Sequence, residues 1–160
     1  LERIMRVFFL SILSSVLLAQ SPNQVLVNQQ IDSWHQAAAR ADENTYFDFI
    51  HPSGIFMGTD ARERWTKSEF LTYAHPFFSK GRGWSFRSTR RSVSFSKDEQ
   101  TAWFDEDLDT PNMGPARGTG VLIQSNSGWK IIHYSLTLTI PNPLMPKIKN
   151  DIEAFFKNSF

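Results

Sequence analysis

Two ionisable residues in the second half of the chain, Asp105 and His133, have the side-chain chemistry of a general base. A carboxylate or imidazole held in an apolar cavity can take a proton from a substrate C–H. Nearby hydrogen-bond donors must then stabilise the enolate oxygen that develops. Asp105 and His133 each share the strand parity of a tryptophan on their own strand, Trp103 and Trp129, so each is a candidate for a cavity-facing position. Tyr46, Tyr73 and Tyr134 are candidate donors. Structural readings compete with these. Asp105 or Glu106 can pair with Arg117 on the following strand, and the Glu106–Arg117 pair is expected as a cross-strand salt bridge. His133 also reads as a satisfied histidine at a core edge. The four histidines, at 35, 51, 75 and 133, have none of the short spacings of metal ligands, and no metal or other cofactor is expected. Arg87, Arg90 and Arg91 are expected on the solvated edge of a sheet. The chain has no glycine-rich phosphate loop and no nucleophile elbow.

The elements that must position these groups can be read from periodicity. Val27, Ile31, Trp34, Ala38 and Ala41 recur at helical spacing and predict a first helix over 29–41. A short second helix follows around Tyr46 and Phe47, ended by Pro52-Ser53-Gly54, and then a short strand at Ile55-Phe56-Met57. The segment from Thr59 to Trp65 reads as a turn. Thr66-x-x-Glu69 is a capping box that opens a third helix, with Pro76 near its end. From Trp84 to Phe95 the apolar residues alternate but change parity midway, which predicts a bulge or bend around Ser88 to Arg91. Three more strands follow, over Trp103–Leu108, Arg117–Ile123 and Trp129–Leu138, with a hairpin signal at Ser125-Asn126-Ser127-Gly128. Ile148, Ile152, Phe155 and Phe156 predict a C-terminal helix. Helices gathered on one face of a strongly bent antiparallel sheet give an α+β fold that curls into a cone, with a small-molecule pocket at its open end.

Composition narrows the class. A chain of 160 residues, 41% hydrophobic with five tryptophans, supports one domain with a substantial core. With no cysteine, disulfides and thiolate metal sites are excluded. Arg3 and Arg6 precede the apolar run Val7–Ala19, and Gln20-Ser21-Pro22 follows. That order predicts an export signal over residues 1–20, cleaved after Ala19 despite the unfavourable Leu17, and a periplasmic or secreted product with no membrane span after its removal. The expected organisation is a signal at 1–20, a domain at 21–145 and a helical tail at 146–160. Without residues 1–20 the charges balance at 15 basic and 15 acidic, from 17 and 16 in the whole chain. Nothing in that balance favours nucleic acid as a partner.

Several stretches carry a family resemblance: Phe56-Met57-Gly58-Thr59-Asp60, Trp103-Phe104-Asp105-Glu106, Arg117-Gly118-Thr119-Gly120-Val121-Leu122, and Trp129-Lys130-Ile131. With the order of elements, they make the chain over 29–142 resemble the SnoaL-like group of the nuclear-transport-factor-2-like (NTF2-like) superfamily. The resemblance implies a cone-shaped α+β barrel, often a homodimer joined through its sheets. It also makes Asp60 a candidate polar pocket residue, beside its alternative role as a cap for the turn that follows it. It does not choose an activity, because the superfamily holds isomerases, cyclases, dehydratases, transport adaptors and proteins without known activity.

Three functions fit the sequence. The first is an exported domain whose hydrophobic pocket binds a small apolar or aromatic ligand without catalysis. The second is an isomerase, dehydratase or cyclase with a pocket Asp or His as base. The third is an interaction domain working through its sheet face. Trp34, Phe56, Tyr73, Trp103, Glu106, Arg117 and Tyr134 are the residues expected to line the pocket or brace it.

Overall fold

The computed structural model describes residues 21–158, so the expected signal lies outside the described residues. Helix α1 (Pro22–Ala39) begins as its sequence dictates: Pro22 occupies the first turn and the Ser21 hydroxyl accepts the Gln24 N–H at 3.2 Å. Val27, Ile31, Trp34 and Ala38 form its buried face. Ala41 ends it in the left-handed region at φ 54°. Asp42 then caps a short α2 (Glu43–Asp48), which contributes Tyr46 and Phe47 to the core. Helix α3 (Lys67–Phe78) has its complete capping box, with the Glu69 N–H on the Thr66 hydroxyl and the Thr66 N–H on the Glu69 carboxylate. Pro76 sits in its last turn, where it removes the N–H that would bond the Thr72 carbonyl and so leaves few residues of helix beyond it.

The six strands are β1 (Ile50–Met57), β2 (Arg64–Thr66), β3 (Arg87–Phe95), β4 (Thr101–Asp109), β5 (Ala116–Ser125) and β6 (Gly128–Leu138), in the order β2-β1-β6-β5-β4-β3. The α+β class holds, but the expected strongly bent antiparallel sheet does not. The sheet is open, with β2 and β3 as its edges, and it is not strongly curled. It is also mixed, since β1 runs parallel to β6. The physical reason lies at Trp84 and Phe86. A register shift does occur between Ser88 and Arg90. The residues before it, however, leave the sheet instead of extending it, and Trp84 and Phe86 pack against the core from a loop. The change of parity falls at that shift, as expected: Ser88 and Arg91 are both half-buried on either side of it, and the chain before it departs from the sheet. Gly83 allows this loop to pass α1, since a Cβ there would overlap the Ala38 carbonyl oxygen.

Two further expectations are corrected. Pro52-Ser53-Gly54 does not end a helix; it lies within β1, at the irregularity between Ile50 and Ile55. Part of the expected turn over 59–65 is strand β2, whose Trp65 pairs with Phe56. After β6 a 3-10 turn (Asn142–Leu144) leads into α4 (Met145–Asn158), none of whose residues is buried. Among the described residues no helix is long and apolar enough to cross a membrane.

Candidate functional site

Which residues face the helices is decided by β4 and β6. On β4 Ala102, Phe104, Glu106 and Leu108 point into the core. Trp103 and Asp105 point away from it, and Trp103 is 48% exposed. On β6 the pairing shifts between Val121↔His133 and Leu122↔Ile131, so Ile132 is an extra residue. That bulge puts Tyr134 and Leu136 on the same buried face as Trp129 and Ile131. It also sets His133 in a row with Ile55, Val121 and Trp103 on the other face. The expectation that Asp105 and His133 face a cavity is therefore corrected: both lie on the open face of the sheet, away from the helices.

The buried face carries a different polar group. Glu106 is completely buried. Its Oε1 is 2.7 Å from His35 Nε2 on α1, and its Oε2 accepts the Arg91 Nε–H from β3 at 2.9 Å. Arg91 also donates to the Asn28 carbonyl at 3.1 Å and reaches Asp32 at 2.8 Å. Burial opposes ionisation of Glu106, but the His35 hydrogen bond and charge, with the Arg91 guanidinium, outweigh it and hold the carboxyl below its ordinary value. Both carboxylate oxygens are engaged, so this group fastens α1 to the sheet. Two sequence expectations change here. Glu106 pairs with His35 and Arg91, not Arg117; Arg117 stands opposite Asp107 and reaches it at 3.5 Å. Arg91 is not a solvated edge residue, whereas Arg87 and Arg90 are exposed and pair with Asp109 and Asp107. Signals for both partners were present in the sequence. His35 follows Ile31 by four residues, and Arg91 shares the parity of Val93 and Phe95.

Around this group the interior is aromatic. Trp34 stacks on Tyr46 at 5.1 Å and meets the edge of Tyr134 at 4.8 Å. Burial pushes the Tyr134 phenol well above its ordinary value, and the Glu106 charge adds to the effect. Burial also raises Tyr46, with the Trp84 indole offsetting a smaller part. The Tyr134 hydroxyl is buried without a hydrogen-bond partner among the described residues.

Toward the β1–β2 turn the aromatics open into a cavity of about 200 Å³. Its wall consists of Phe56, Trp65, Phe70, Tyr73, Trp84 and Phe86, with Met113 and Leu136. Gly58, Thr59 and Glu63 contribute from the turn. Phe56 stacks on Phe70 at 3.9 Å and Trp65 on Tyr73 at 4.6 Å, so the wall is built from neighbouring rings of β1, β2 and α3. The sequence candidates thus separate. Phe56 and Tyr73 line the cavity, Trp34 and Tyr134 lie buried in the core, and Trp103 and Arg117 are exposed. Asp60 is not in the lining. Its carboxylate is held by the Arg62 side chain, at 3.0 Å, which lowers it to about 2.

This fold and site define an NTF2-like α+β domain with a buried aromatic cluster. The SnoaL-like domain matches residues 27–141, and the chain belongs to that family. No curated protein matches the sequence. Solved structures share the fold at low identity. One is an NTF2-like protein from Pseudomonas putida KT2440, with 14% identity and TM-score 0.62 over 74% of this chain and 87% of that one. Another is an NTF2-like protein from Cytophaga hutchinsonii, with 15% identity and TM-score 0.58 over 75% and 100%. A third, from Streptomyces avermitilis, is described as a candidate dehydratase of the NTF2-like family, with 17% identity and TM-score 0.60 over 72% and 94%.

Proposed function

We propose that this protein binds a small apolar or aromatic ligand in the cavity between β1, β2 and α3, without catalysing a reaction on it. The observation that carries this reading is the composition of the cavity: six aromatic side chains around about 200 Å³, with neither Asp105 nor His133 in the lining. A space of this size suits a molecule of one ring, since apolar cavities of about 150 Å³ hold benzene in other proteins. Base chemistry through Asp105 or His133 has no support, because the sheet separates both from the cavity. Titration with toluene, which does not absorb or emit in the tryptophan band, tests the proposal through the fluorescence of Trp65 and Trp84. Saturable quenching that a Phe70→Ala substitution weakens is expected. A linear, unsaturable response would refute it.

Export and self-association belong to the same proposal. The run Val7–Ala19 supports export, and charged residues at its centre should retain the chain inside the cell. The exposed Trp103, in a row with Val121, His133 and Ile55 across the open face, supports a homodimer joined through the sheets. Native mass spectrometry of the intact protein reads the oligomer directly; a monomer at micromolar concentration would sink that part.

A further inference from the structure

The cavity is electrostatically one-sided. Its lining contains no lysine, arginine or histidine, and its one acidic residue is Glu63. The Glu63 carboxylate is fixed in place: Oε2 accepts the Asp60 N–H at 3.1 Å and lies against Gly58, where a Cβ would overlap it. The neighbouring cation, Arg62, acts on it only at longer range. Arg62 is turned to Asp60, with Nε and one Nη each 3.0 Å from its carboxylate oxygens. Glu63 has no ion pair among the described residues, although it is half-buried at the cavity. The acid directly before Phe70 is accounted for as well: Glu69 is consumed in the capping box with Thr66.

An unpaired carboxylate beside aromatic rings has a definite preference among guests. Ring faces carry partial negative charge and attract organic cations, most strongly where water is excluded. An anion would be repelled by Glu63 and would lose its hydration without a donor to replace it. A neutral guest would gain contact area but would leave Glu63 uncompensated. We infer that the cavity is a site for a small organic cation, an aromatic or branched ammonium, with Glu63 as its counter-ion and the Trp65, Tyr73 and Phe70 rings as its wall. This inference rests on the reading of the cavity as a ligand site and adds the charge of the ligand.

Three probes of similar size separate the two readings: phenyltrimethylammonium, its neutral carbon isostere tert-butylbenzene, and benzoate. Each is titrated against the full chain by tryptophan fluorescence and calorimetry. The cation is expected to bind on the order of ten-fold more tightly than the isostere, and benzoate more weakly than either. Glu63→Gln keeps the acceptor for the Asp60 N–H. It should reduce cation affinity at least several-fold, in the range of about three- to ten-fold, while tert-butylbenzene binds as well as before or more tightly. Equal binding of cation and isostere overturns the inference and leaves the apolar-pocket reading standing. So does a Glu63→Gln chain that keeps the full preference. Binding by none of the three overturns both.

Discussion

Asp105 and Glu106 are neighbours on β4 with the same functional group, yet they occupy opposite sides of the sheet. Asp105 stands on the open face, two residues along the strand from Trp103, in register with Ser92 and Thr119. Glu106 is completely buried and held by two cationic or hydrogen-bonding partners from two other elements. The alternation of a strand makes the difference, and the packing of helices on one face alone gives it energetic weight. A carboxylate in water needs no partner. A carboxylate in the core must be matched, and its match ties together α1, β3 and β4.

The largest expected effect comes from breaking the buried side. Glu106→Ala leaves Arg91 and His35 buried without their anion, and should cost about 3–5 kcal/mol in urea unfolding. Asp105→Ala, which removes an exposed carboxylate, should stay within about 0.5 kcal/mol. Similar losses at the two positions would erase the distinction between the faces.

Next in size is a coupled pair. A Cβ at Gly118 would overlap the Tyr134 hydroxyl and come within 3.0 Å of Glu106 Oε1, so Gly118→Ala should destabilise by about 1–3 kcal/mol. Tyr134→Phe removes a buried hydroxyl that lacks a partner and should be neutral or slightly stabilising. The double variant should recover part of the Gly118→Ala loss. Strict additivity in a double-mutant cycle would mean that the two groups do not compete for that space.

A smaller effect concerns pH. The folded pKa of Glu106 is depressed below its ordinary value of 4.5. Its contribution is therefore complete above about 4.5 and disappears as pH falls through the folded pKa, because the unfolded chain then binds the proton more readily. Wild type should lose stability on the acid side of that value, and Glu106→Gln should lose less over the same range. Parallel acid limbs for the two chains would count against an ionised Glu106. The smallest effect on folding is expected from Trp103→Lys, which changes an exposed residue. Its readout is the oligomer: unchanged stability with a shift toward monomer in native mass spectrometry would sharpen the role of the open face. An unchanged dimer would assign that face no such role.

Much of this architecture was legible in the residues. The first helix follows from Val27, Ile31, Trp34 and Ala38, the start of the third from Thr66 and Glu69, and the last hairpin from Ser125 to Gly128. The parity break in β3 was also visible, and a shift occurs there. The site was harder to read. Parity divides a strand into two faces but does not say which one the helices will cover, so Trp103 drew Asp105 toward the cavity when it marks the outer face. The Ile132 bulge reversed the remaining alternation of β6, and nothing local in that sequence announces it.

By itself the sequence determined the classes of element, their order, the aromatic stock of the core and the family to which the chain belongs. These depend on short-range periodicity and on turn and capping chemistry, which act within a few residues. Only the tertiary structure decided that the sheet stays open, that Glu106 turns inward to His35 and Arg91, 71 and 15 residues away, and that Glu63 stands unpaired at an aromatic cavity. Those outcomes depend on which faces are withdrawn from water, and that is settled when distant segments meet.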